Sequence, residues 1–170
     1  MLTDMGPARQ SSPADSVLLA RVRVVLLALV MLAMAGMAAD LLLLGHYEDA
    51  WQLPPLVVVG LGFAVTLWAG LTLSRAAIRG MQLTMLLFLV TGGAGVVLHY
   101  EGNSEFQREM DPALAGWPLF AKVMQAKAPP ALAPAALMQI GLLGLLYTYR
   151  NGAAPRDAAA AAPPTTRSTP

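Results

Sequence analysis

From Val24 to Leu44 the chain has a single ionisable residue, Asp40, in an otherwise apolar run bounded by Arg23 and Gly45. As an α-helix this run is about 31 Å long, enough to cross a hydrocarbon core of ~30 Å. In lipid every backbone group must bond within the protein, so the run reads as a helix and not as an open strand. Three further apolar runs follow, Pro55 to Leu73, Met81 to Leu98 and Ala131 to Tyr149. Pro54-Pro55 opens the second, where missing backbone donors cost a helix least. Pro134, near the start of the fourth, is expected to shorten it. Only 12% of residues are charged, about half the ~25% of a soluble domain, which is too little to cover a water-facing surface. The pattern predicts an all-α membrane protein. It would be a four-transmembrane-helix bundle with spans at about 24–44, 55–73, 81–98 and 131–149.

The small residues Ala33-Met34-Ala35 and Gly36-Met37-Ala38 in the first run resemble a signal-peptide cleavage region. Against cleavage, the run resumes as Leu41-Leu42-Leu43-Leu44 and completes a membrane width, whereas signal cores usually stop at about 7–15 residues. Segments 1–20 and 151–170 read as disordered tails, the second rich in Ala, Pro and Thr, because neither can bury enough apolar area to offset its ordering entropy. The transmembrane domain is then 21–150.

Lys and Arg orient the spans. Arg9, Arg21 and Arg23 precede the first, Arg75 and Arg79 separate the second from the third, and Arg150, Arg156 and Arg167 follow the fourth. The connection after the first span has no Lys or Arg. The segment from His99 to Pro130 sets Glu101, Glu105, Glu109 and Asp111 against Arg108, Lys122 and Lys127. The positive-inside rule puts both termini in the cytoplasm of a multi-pass protein of the plasma (inner) membrane.

The two histidines each open the same tripeptide, His46-Tyr47-Glu48 and His99-Tyr100-Glu101. In this topology both copies emerge on the acidic outer face, at the ends of two parallel spans. One reading is an interfacial girdle, since Tyr favours the headgroup level. Another is a metal or redox-cofactor site, because neutral imidazole and carboxylate ligate transition metals. Residues i and i+2 point to different helix faces, so one triplet does not offer both ligands to one ion. A joint site needs His46 and His99 together, completed by Glu48 or Glu101, and the separation of the two imidazoles decides between these readings. No cofactor is specified. In a third reading the imidazoles titrate beside the carboxylates as a proton relay or pH sensor.

Asp40 lies about 9 Å of helix rise below His46. Intramembrane carboxylates usually face the bundle interior and are functional; the alternative is that Asp40 sits high enough to take interfacial water as its partner. On a continuous helix Asp40 shares a face with Gly36 and Tyr47, and Thr91 and Gln139 fall at comparable depth as members of a polar belt. Thr91-Gly92-Gly93-Ala94-Gly95, Gly60-Leu61-Gly62 and Gly141-Leu142-Leu143-Gly144 read as close helix-packing faces. A phosphate loop needs a preceding strand, which is not expected here. Aligning the tripeptides pairs Asp40 with Gly93, which predicts room beside the carboxylate. In the second outer connection, Asp111-Pro112 looks like a helix start. Trp117, Phe120, Met124 and Ala128 recur at helical spacing, which predicts a short amphipathic helix on the membrane surface.

With no cysteine, disulfides, thiolate metal sites and Cys nucleophiles are excluded. No basic patch interleaved with aromatics indicates nucleic acid, and Glu105/Glu109 reads as a solvated acidic face. No catalytic constellation assembles. The expected function is therefore a non-enzymatic accessory or scaffold protein acting through its acidic outer loops. The expected partners are the lipid bilayer and a membrane protein or further copies of this chain. The alternatives are metal or redox-cofactor binding by the paired tripeptides and proton-coupled transport through Asp40.

Overall fold

In the computed structural model of the chain, which describes residues 13–126 and 129–149, the first apolar run lies inside a helix that starts earlier than expected. This helix, α1 (Pro13–Leu43), has Asp15 in its first turn, where a carboxylate complements the helix dipole. A short 3-10 turn (Ala50–Gln52) leads into α2 (Leu53–Thr72), with Pro54 and Pro55 in the first turn. Leu73 and Ser74 alone separate α2 from α3 (Arg75–Met110), so these two helices are antiparallel neighbours. Ser74 caps α3, its hydroxyl accepting from the Ala77 N–H at 3.2 Å. α4 (Gly116–Met124) and α5 (Leu132–Thr148) complete an all-helical structure with no strand among the described residues. The first twelve residues and the Ala/Pro/Thr tail lie outside the described residues.

Three helical stretches, Ala14–Leu43, Ala50–Thr72 and Arg75–Met110, are long and apolar enough to cross a membrane. α5 is apolar but spans only about 26 Å. Pro134 does not shorten it. It falls in the first turn, where its missing N–H has no intrahelical partner to lose.

α3 departs most from expectation. It was expected to end at Leu98 but continues to Met110, about 54 Å in all. Beyond Gly102 the segment is dominated by Glu, Gln, Arg and Met, which sustain a helix. It stops at Asp111, whose backbone is extended (φ −146°, ψ 92°) because the following Pro112 disfavours the helical region. Asp111-Pro112 is therefore the end of α3 and not the start of the next helix. α4 begins at Gly116.

Packing follows a square. α1 and α3 each lie against α2 and α5, and α1 and α3 sit on one diagonal. At the centre, the buried side chains of Met34 and Phe88 meet over Gly62, where an added Cβ would stand 2.9 Å from the Met34 sulfur and 2.7 Å from the Phe88 ring. The α3–α5 seam is closer. A Cβ at Gly92 would approach the Pro134 carbonyl oxygen to 2.7 Å, and one at Gly141 would approach that of Met85 to 2.8 Å. These are backbone atoms, so the glycines set how closely the two helices approach.

Candidate functional site

Gly45 decides where His46 sits. α1 closes in a Schellman motif: the Gly45 N–H donates to the Leu42 carbonyl at 3.2 Å and the His46 N–H to the Leu41 carbonyl at 2.8 Å. The motif requires the left-handed φ of 65° at Gly45, which glycine adopts at no steric cost. The Gln52 side-chain oxygen then accepts from the Glu48 and Asp49 N–H groups at 3.1 and 3.4 Å, holding the far side of the turn. The first tripeptide is thus a tied-down turn. The second, His99-Tyr100-Glu101, is continuous helix within α3. Tyr47 does not share a helix face with Asp40, because the chain leaves the helix at Gly45.

Despite these different backbones, the imidazoles of His46 and His99 meet. Their ring centres are 6.1 Å apart and their planes 29° from parallel. His46 is partly buried, and that burial, followed by the charge of a protonated His99, holds its pKa below the ordinary 6.5. Near neutral pH His46 therefore presents an unprotonated nitrogen able to accept a hydrogen bond or ligate a metal.

The other tripeptide residues diverge. Tyr47, Glu48 and Glu101 are exposed, whereas Tyr100 is partly buried with its ring centre 6.0 Å from that of Phe120 in α4. Among the described residues no three His, Asp or Glu side chains are placed to hold one metal ion. The structure therefore brings the histidines together without a third protein ligand.

Asp40 does not face the interior. The inward residues of this part of α1 are Met37 and Leu41, and Asp40 is exposed. It lines a lateral groove of about 440 Å³ between α1 and α5, together with Gly36, Ala33, Ala136 and Gln139. Of the three residues expected in the belt, Asp40 and Gln139 line this groove together. Thr91 lies on α3, diagonally opposite α1, and does not line this groove. For the same reason Gly93 makes no room beside Asp40. An added Cβ there would meet nothing within 4 Å.

The extension of α3 carries a second groove, of about 620 Å³, that the sequence reading missed. It runs along Tyr100, Glu101, Ser104, Glu105, Arg108 and Glu109. The three glutamates, four residues apart, share one helix face. The available signal was the absence of any proline between Leu98 and Asp111. α4 packs on this extension through Leu119 and Val123, which are buried. The expected stripe of Trp117, Phe120 and Met124 instead has Trp117 75% exposed and Phe120 39% exposed, their rings stacked with centres 5.1 Å apart. Ala128 lies outside the described residues. α4 thus has two apolar sides, and periodicity alone did not say which one the protein covers.

The chain is an all-helical protein with three helices long and apolar enough to span a membrane. Comparison with family models, curated proteins and solved structures found no match in any of the three.

Proposed function

We propose that this chain crosses the plasma (inner) membrane four times with both termini cytoplasmic, and acts without catalysis as an accessory or scaffold protein. Its working surface is the end that carries both histidine tripeptides. Apolar α5, paired with α3 along a glycine seam, supplies the fourth crossing, its short length accommodated by modest bilayer adjustment. Arg21, Arg23, Arg75 and Arg79 lie toward the opposite, cytoplasmic end.

The observation that carries this reading is the helical cap. α3 runs past His99 to Met110, and α4 docks on it with Trp117 turned outward and Phe120 half-exposed between Trp117 and Tyr100. Trp on an outward face next to Lys122 suits a membrane interface or a partner helix. Mild-detergent extraction and pull-down of wild type and a Trp117→Ala/Phe120→Ala variant test the reading. A partner recovered with wild type and lost with the variant supports it. A chain recovered alone, or only with its own copies, ends it.

The 6.1 Å histidine pair favours a second reading, an open transition-metal site. An ion bound to one nitrogen of each ring at about 2 Å leaves the ring centres about 5–6 Å apart, close to the separation found. The remaining ligands would come from water or a partner. Zinc or copper titration of the purified protein in lipid nanodiscs, against a His46→Ala/His99→Ala variant, decides it. Equal binding by the two proteins, or none by wild type, removes the reading.

A further inference from the structure

Asp40 and Gln139 stand on opposite lips of the α1–α5 groove, and both are exposed. Neither side chain makes a hydrogen bond among the described residues. On the membrane-spanning reading above, this sets a carboxyl and a carboxamide against lipid, where polar groups are costly and need a partner. The groove is also shaped for close approach. Ala33, Gly36 and Ala136 line it, and a Cβ at Gly36 would meet nothing within 4 Å. Unlike Gly92 and Gly141, Gly36 has no role in the chain's own packing.

We infer that this groove is a self-association face occupied by a second copy of the chain, with Asp40 of each copy hydrogen-bonded to Gln139 of the other. The argument is one of symmetry and chemistry. Two copies inserted in the same direction are related by a two-fold axis along the membrane normal, and such a rotation preserves depth. It lays α1 of one copy against α5 of the next, so Asp40 and Gln139, which line one groove from opposite helices about one helical turn apart in depth, come within side-chain reach of each other reciprocally. Gln139 supplies an N–H donor and Asp40 acceptor oxygens, so both contacts are complementary and neither opposes like charges. A helix from another protein would need its own donor for Asp40 and acceptor for Gln139 at matching positions. The second copy carries both.

The test uses full-length protein in lipid bilayers, with dimerisation read by single-molecule photobleaching or energy transfer. Wild type is expected to dimerise, and Asp40→Leu and Gln139→Leu are each expected to lower the association constant about tenfold, two interhelical hydrogen bonds being lost at once. Mixing the two variants is expected to restore association. The mixed dimer keeps one intact Asp40–Gln139 contact and replaces the other with Leu against Leu. An effect of either substitution that does not pass through an Asp40–Gln139 pair gains nothing from mixing. Wild type that stays monomeric in bilayers, or variants that associate as tightly as wild type, overturns the inference while leaving the membrane reading intact. Release of the chain from membranes by alkaline carbonate overturns both.

Discussion

The two His-Tyr-Glu copies have the same side chains and opposite backbones. Around His46 the chain reverses through a left-handed glycine, and two capping hydrogen bonds fix the turn. Around His99 it continues as helix for three more turns. The rings nonetheless meet at 6.1 Å, because α1 and α3 sit diagonally in the square and only the turn after α1 carries His46 across. One copy is placed by local turn chemistry. The other is placed by the packing of its helix against α2 and α5, so the two copies should fail for different reasons.

The largest effect should come from the packing side. Gly92→Val pushes a branched side chain into the Pro134 backbone and should cost about 3 kcal/mol or abolish folding, read as loss of the thermal transition in detergent. A variant as stable as wild type would mean that α5 does not seat on α3 as described. Gly45→Val attacks the turn side. It forces a β-branched residue to φ 65° and should cost about 2 kcal/mol, separating the histidines while leaving α3 and α5 packed. The imidazole resonances of His46 and His99 should move in this variant, and unchanged resonances would exclude the turn as the positioning device.

The glycine beside the second copy should behave in the opposite sense. Gly102 lies inside α3, with nothing within 4 Å of an added Cβ. Gly102→Ala should therefore stabilise the protein by about 0.5–1 kcal/mol, seen as a raised melting temperature. Destabilisation would show that this stretch is not held as helix. The smallest effect is expected with pH. The folded-state pKa of His46 lies below its ordinary 6.5, so on acidification the unfolded chain takes up a proton first. Stability is then complete above about pH 6.5 and declines below it. Comparing melting at pH 7.5 and 5.5 in wild type and His46→Gln tests this, and an identical decline in the variant would falsify the assignment to His46.

How far each part was legible depended on the range of the interaction behind it. The apolar runs between Val24 and Leu44, Pro55 and Leu73, and Met81 and Leu98 all lie within observed helices or one residue of their ends, because helix formation at this length is written into composition and period. α3's extension was misread because acidic, hydrophilic sequence looks like loop. Its residues are helix formers, and the first residue pair that breaks the helix is Asp111-Pro112. On α4, Leu119/Val123 and Trp117/Phe120 are both apolar pairs at helical spacing, so only docking on α3 decided which pair is buried.

The sequence by itself determined the helices, the glycine faces and the charge asymmetry between the two ends, since these rest on local propensity and on solvent transfer of single segments. Only the tertiary structure decided which polar residues meet. His46 reaches His99 because Gly45 turns the chain. Asp40 shares a groove with Gln139, and not with Thr91, because α5 and not α3 lies beside α1. Helical spacing defines the face of one helix, whereas the neighbour of that face is set by the packing of all the helices at once.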